Sequence, residues 1–169
     1  MSDESWQATV VRAAEETELD QLAQLWFDGW HDAHAQIVPA ELTRLRTLEN
    51  FRQRLRTDLH KVRVIGPPGA PAGFCIVKGA EIYQLFVAAS ARGSGAATRL
   101  IADAEARLSG AGIQTAWLAC AIGNQRAARF YEKCGWRLAG IMVNALQTAD
   151  GIFPLEVWRF EKSLTLWRA

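Results

Sequence analysis

The chain has 169 residues, is 50% hydrophobic and 22% charged, and carries a net charge of +1. That length suits one domain over residues 1–169 with a sizeable core, and the near-neutral balance speaks against a nucleic-acid polycation or an acidic tail. No run approaches the roughly 20 apolar residues of a membrane helix, and the acidic start Met1-Ser2-Asp3-Glu4-Ser5 lacks the apolar core of a signal peptide, so a cytoplasmic protein with no membrane partner is expected. Cys75, Cys120 and Cys134 are odd in number and have no CxxC spacing. They read as reduced thiols packed like small hydrophobes. Seven tryptophans are many for this length, and most are expected in the core, with one or two lining a pocket.

In chain order, Thr9 to Ala13 is a β-branched run and predicts a first strand. Leu19, Leu22, Leu25, Trp26 and Trp30 then recur at helical spacing, with Thr17 as the expected N-cap and an end near His34. Pro39 breaks the pattern. One second helix is expected from Glu41 to Leu59, with Leu42, Leu45, Leu48, Phe51 and Leu55 on one face and Arg44, Arg46, Arg52, Arg54 and Arg56 on the other. The basic face reads as solvated, or as a field that attracts an anionic ligand. Lys61 to Ile65 alternates as a strand, the Gly66 to Pro71 cluster is a turn, and Ala72 to Lys78 returns as a second strand. Gly79-Ala80 turns again into a strand from Glu81 to Val87.

The next stretch is Leu85-Phe86-Val87-Ala88-Ala89-Ser90-Ala91-Arg92-Gly93-Ser94-Gly95-Ala96-Ala97. It reads as strand, glycine turn and helix start, continued by Leu100, Ile101, Ala104 and Leu108 at a 3.6-residue period. A helix N-terminus with unpaired N–H groups beside glycines suits an anion, most often a phosphate. A Walker loop would need Lys-Ser/Thr after its last glycine, where Ala96-Ala97 stand. A dinucleotide loop would need a third glycine, where Thr98 stands, and an acidic end to the next strand, which reads Ala119-Cys120-Ala121-Ile122. Gly110-Ala111-Gly112 caps the helix, Gln114 to Ala121 is a buried strand, and a helix with Ala127, Phe130 and Tyr131 runs from Asn124 to Gly135. Strands from Trp136 to Val143 and from Phe153 to Lys162 close the chain. Runs of hairpin strands with interspersed helices predict a mixed α+β class with a largely antiparallel sheet.

Arg92, Gly95 and Ala97 fit the motif Arg/Gln-x-x-Gly-x-Gly/Ala, and Asn124, Ala127, Phe130, Tyr131, Glu132, Lys133, Gly135 and Trp136 fit Asn…Ala…Phe-Tyr-Glu-Lys-x-Gly-Phe/Trp. With these paired motifs the chain resembles the GNAT superfamily of N-acetyltransferases over nearly its whole length. The resemblance implies the GNAT acyl-CoA N-acyltransferase fold and transfer from acetyl-CoA, a co-substrate, with no metal. It implies that Arg92, Gly93, Ser94, Gly95, Ala96 and Ala97 hold the pyrophosphate, and that Leu85, Phe86 and Val87 pair with pantetheine. The Val87 N–H would face the thioester oxygen, and Asn124 would contact CoA. Tyr131 would protonate the departing thiolate.

Glu81, in the strand feeding the loop, is the first candidate for the base that deprotonates the amine, since many family members carry an acidic residue on this strand; Gln84 departs from the pattern, standing where related sequences often have Asp or Glu. Glu156, His31 and His34 are the alternatives. The same resemblance nominates Trp26, Trp30, His31, His34, Gln36 and Ile37 for the acceptor pocket, with core packing as the other reading of the aromatics. The expected partner is a small-molecule or peptide amine, not a nucleic acid, and a homodimer is left open. An acyl-CoA sensing module without turnover is the competing function.

Overall fold

The computed structural model describes residues 10–164. Thr9, predicted in the first strand, and the acidic start lie outside the described residues. The elements are β1 (Val11–Ala13), α1 (Leu19–His34), α2 (Ala40–Leu45), α3 (Leu48–Asp58), β2 (Val62–Ile65), β3 (Gly73–Lys78), β4 (Glu81–Val87), α4 (Ala96–Gly110), β5 (Thr115–Ala121), α5 (Gln125–Lys133), β6 (Arg137–Thr148) and β7 (Gly151–Ser163). Seven strands form one sheet in the order β1-β2-β3-β4-β5-β7-β6. Every neighbouring pair is antiparallel except β4 with β5. The expected largely antiparallel α+β fold is thus the one observed. Among the described residues no helix is long and apolar enough to cross a membrane.

Strand alternation sends side chains to two separate cores. Phe74 and Ile76 of β3 join Leu22, Trp26, Phe51 and Leu55 under α1 and α3. Cys75, between them in sequence, joins Leu100, Ile101, Leu118 and Phe160 under α4 on the opposite face. A one-residue slip of β3 would exchange the two sets. A fully buried Glu18 fixes the entry to α1. Its carboxylate takes both guanidinium nitrogens of Arg12 at 2.8 Å and the N–H of Glu15 at 3.0 Å. That arrangement replaces the expected Thr17 cap, since Thr17 sits inside a short 3-10 turn over Glu16–Glu18.

The expected single helix from Glu41 to Leu59 is instead two. Arg46 leaves helical geometry (φ −89°, ψ 69°), and the Thr47 side chain accepts from Asn50 N–H to cap α3. The apolar spacing is nearly continuous across the break, so periodicity alone hides it. The cause is long-range: the Arg46 side chain is drawn inward and donates to the Gln147 carbonyl of β6 at 2.9 Å.

Two irregularities open the centre of the sheet. Gln84 pairs with Ile76 and Ile82 with Val77, so Tyr83 is an extra residue that bulges β4. Beyond it, β4 and β5 share a single paired position, Glu81 with Trp117. From that root the two parallel strands diverge.

Candidate active site

The gap between β4 and β5 leaves backbone groups without a neighbouring strand. Ala88 N–H donates to Ala72 O on the β3 side at 2.8 Å. By the period-2 alternation of a strand, the amides of Phe86 and Gln84 also face β3, while those of Leu85 and Val87 face the gap. The divergence thus exposes the two amides that a bound amide chain would pair with. Val87, predicted from sequence to supply a donor, sits on this edge together with Leu85.

A cavity of about 380 Å³ passes through the gap. On the α5 side its wall includes Cys120, Asn124 and Tyr131, and on the α1–α3 side Trp30, His34, Arg46 and Arg54. Glu81, Tyr83, Gln84, Leu85 and Phe86 run along β4 between the two sides. Asn124, Ala127 and Tyr131 of the second motif and Trp30 and His34 of the expected acceptor set therefore line one space, while the glycine loop Arg92 to Ala97 lies outside it.

Trp26 and His31 do not line it. Trp26 is fully buried in the core, at 4.8 Å from the Phe51 ring, with the Arg54 guanidinium 4.3 Å above it. The His31 Nε2 is 2.8 Å from the Arg46 carbonyl oxygen, which ties α1 to the α2–α3 corner. Gln36 and Ile37 are exposed, and Ile37 packs against Gly123. Glu156 is exposed on β7 opposite Val143 and outside the cavity wall.

The groups on β4 and α5 have shifted acidities with simple causes. Burial raises the Glu81 carboxyl above its ordinary range, although Lys78 and Arg159 oppose the rise. Burial likewise lifts the Tyr131 phenol and pushes the Cys120 thiol up to about 12. His34 falls to about 4 because it is desolvated. Its Nδ1 is 2.9 Å from Trp30 O, so the neutral ring donates there and keeps its lone pair on Nε2. A histidine titrating near 4 is too weak a base to hold a proton taken from an ammonium at neutral pH.

At the other end of β4 lies the glycine loop. Gly93 (φ +79°) and Gly95 (φ +88°) adopt left-handed backbone that side-chain-bearing residues avoid. A Cβ built on either meets nothing within 4 Å, so it would project into open space in front of the loop. Ser94 Oγ donates to Ala91 O and accepts from Ala96 N–H at 3.3 Å. The Ala97 and Thr98 amides belong to the first turn of α4, which has no intrahelical acceptors for them. Arg92 reaches across to Asp32 of α1 at 2.8 Å, and Arg126 of α5 meets the same carboxylate at 3.1 Å. Both arginines thus flank the loop while sharing one exposed partner. Asn124 caps α5 through Oδ1, which accepts from Ala127 N–H at 3.3 Å, and it also lines the cavity.

Sequence reasoning did not single out Arg46, Arg54 and Tyr83. Arg54 donates to the Tyr83 hydroxyl at 2.8 Å, and Arg46 is only 3% exposed. The four-residue spacing Arg46, Asn50, Arg54 was the available signal, since it puts the three on one side of the single helix expected from Glu41 to Leu59.

A model of the acetyltransferase (GNAT) family matches residues 19–136. The structure is similar to a GCN5-related N-acetyltransferase from Rhodopseudomonas palustris, with a TM-score of 0.71 and 20% identity over 92% of this chain and 95% of that one. It is also similar to the PaiA N-acetyltransferase of Thermoplasma acidophilum in complex with coenzyme A, with a TM-score of 0.68 and 16% identity over 91% and 98%. A third likeness is to a ribosomal-protein-alanine N-acetyltransferase from Brucella melitensis, with a TM-score of 0.66 and 19% identity over 92% and 99%. At such identities these likenesses concern the fold. No curated protein matches the chain in sequence.

Proposed function

The chain belongs to the acetyltransferase (GNAT) family, and from that premise we propose that it moves the acetyl group of acetyl-CoA to a primary amine of a small molecule or peptide, by direct attack in a ternary complex. The observation that carries this reading is the divergence of β4 from β5 beyond Glu81 and Trp117, which opens one cavity to both faces of the sheet. A thioester donor and an amine must enter from opposite sides and meet, and this gap gives them a meeting place.

The residues present suit CoA. The open space before Gly93 and Gly95, with the first-turn amides of α4, fits a pyrophosphate. Arg92 and Arg126 stand beside it. The gap-facing amides of Leu85 and Val87 suit the amide groups of pantetheine, and one of them would donate to the thioester oxygen. Such a donor strengthens its bond as negative charge grows on that oxygen. When bound, acetyl-CoA supplies an activated acyl carbon.

Glu81 lies four residues before Leu85, roughly 13 Å along an extended strand. It would therefore draw a proton from the amine through water, and its raised pKa makes it a stronger base than an exposed carboxylate. Tyr131 would give a proton to the sulfur as the C–S bond breaks and the N–C bond forms. The burial that lifts its phenol acts equally on a thiolate in the same space, as Cys120 shows, so the leaving sulfur is basic enough to need that proton. Over the reaction one N–H proton leaves nitrogen and one reaches sulfur.

Two measurements test this. Acetyl-CoA should raise the melting temperature, since a ligand at 100 times its Kd stabilises by about 2.7 kcal/mol. Thiol should be released only when an amine is present. Absence of both overturns the proposal, whereas stabilisation without release across a broad amine set indicates a sensing module.

A further inference from the structure

We propose that the acceptor amine also carries an anionic group, a carboxylate or a phosphate, which Arg46, Arg54 and the Tyr83 hydroxyl bind at the α2–α3 end of the cavity. This rests on the acetyl-transfer reading above and names the class of acceptor.

Both guanidinium groups line the cavity, and among the described residues neither has a carboxylate within 4.0 Å, although many other arginines of the chain do. Only 3% of the Arg46 surface is exposed. Its Nη1 donates to Asn50 Oδ1 at 3.2 Å and to Gln147 O at 2.9 Å. These bonds fix the plane of the group but bring no negative charge. Arg54 is stacked on Trp26 at 4.3 Å and donates one Nη2 hydrogen to Tyr83 Oη at 2.8 Å. Having accepted there, Tyr83 Oη keeps its own proton for a ligand. A guanidinium withdrawn from water without a counter-charge is costly. Two of them on one wall, rigidly held, form a site complementary to a planar or tetrahedral oxyanion.

The other charges agree. Lys78 also lines the cavity, though it is paired with Asp58 at 2.8 Å. Among the described residues Glu81 is the one carboxylate on the wall, and it lies on β4, from where it would draw the amine proton through water. The cavity is thus polarised, with cations at the α2–α3 corner and an acid on the strand. An amine with an attached anion matches that polarity end to end. The Arg46 pKa, depressed to about 10 by burial and by Arg54, reflects the same missing counter-charge and leaves the group ionised at neutral pH.

The test measures kcat/KM for thiol release from acetyl-CoA with matched acceptors. One arm sets each of the common amino acids against its carboxamide. A second sets phosphoethanolamine against ethanolamine. The expected result is a preference of tenfold or more for the anionic member in at least one arm, expressed mainly in KM, and the arm that shows it identifies the anion. R54Q and R46Q should each bring that ratio toward one. Circular dichroism checks that both fold, and R54Q remains decisive if the buried R46Q does not. Equal or better use of the neutral members, or a ratio unmoved by R54Q, overturns the anion site and leaves acetyl transfer standing. Thiol release with no amine at all overturns both.

Discussion

Gly29 sits in the middle of α1, where glycine is normally a defect, and Gly29→Ala weighs two opposed effects. In a helix interior the change should stabilise by about 1 kcal/mol through backbone entropy and propensity. An added Cβ, however, would lie 2.8 Å from Phe86 Cδ1, with Cε1 at 3.5 Å and Cγ at 3.7 Å. The optimum for such carbon pairs is about 3.5–4.0 Å, so the ring must retreat by roughly 0.7–1.2 Å. It has little room, because the Phe74 ring is stacked at 6.0 Å on one side and His34 stands at 6.4 Å on another. Overpacking of this kind costs about 1–3 kcal/mol. The clash should therefore win, for a net loss of about 1 kcal/mol and a fall in Tm of about 2–4 °C for a chain of this size. Phe86 also lines the cavity, so KM for the acceptor should rise while acetyl-CoA stabilisation stays near wild type. The discriminating assay is a double-mutant cycle by urea unfolding. In a Phe86→Leu background the obstacle is smaller, and Gly29→Ala should turn stabilising. A gain of the full 1 kcal/mol in the wild-type background, or the same effect in both, would refute the reasoning.

Three further outcomes are expected. Tyr131→Phe should lower kcat by about 10²-fold or more, the usual scale of lost acid catalysis, while the melting shift given by acetyl-CoA is retained; an unchanged kcat across the pH range removes Tyr131 from the chemistry. Glu81→Gln should abolish the acidic limb of the pH profile of kcat/KM, a limb that in the wild type lies above the ordinary carboxylate range because burial raises the Glu81 pKa; an identical profile places the base elsewhere. Glu18→Gln should destabilise by about 3–5 kcal/mol at neutral pH by stranding Arg12. The Glu18 carboxyl is held below its ordinary value by Arg12, so its contribution is complete above the unfolded acid constant and is lost as pH falls through the folded one. The Tm gap between wild type and variant should accordingly close on acidification below about pH 4.5, and a gap constant down to pH 2 contradicts the linkage.

Much of the fold was legible because its rules are local. The 3.6-residue spacing in α1 and α4 and the hairpin turn around Gly66 to Pro71 survive into the structure as written. The α2–α3 break was not legible. Leu42, Leu45, Leu48, Phe51 and Leu55 continue one apolar pattern through it, and its cause is a hydrogen bond to Gln147, 101 residues away. The end of α1 misled in a similar way. Trp26 and Trp30 are one turn apart on the same face, yet Trp26 is sealed under Arg54 and Trp30 reaches the cavity. Which aromatic meets a ligand depends on the helix packed above it, and α3 was expected there in another shape.

The same contrast divides the site. The half proposed for CoA is built from backbone: left-handed glycines, the first turn of α4, and the Leu85 and Val87 amides left facing a gap. Backbone geometry is dictated by neighbouring residues, so a short motif announces it. The half proposed for the acceptor is built from side chains of α1, α3, β4 and β6 that no motif links. There the arginine face of the second helical stretch read either as solvated, the ordinary fate of arginine, or as a field that attracts an anionic ligand, with nothing to say which arginines would turn inward. Arg44 and Arg56 follow that rule and are exposed, while Arg46 and Arg54 are withdrawn to the cavity wall. Burying an ionised group against its preference requires a compensating interaction, and Asn50, Gln147 and Tyr83 offer only neutral ones. The physical oddity thus lies at the α2–α3 corner and along α3, away from the glycine loop. Selectivity is therefore expected to track the α2–α3 corner, whereas changes to the glycine loop should alter use of acetyl-CoA alike for every acceptor.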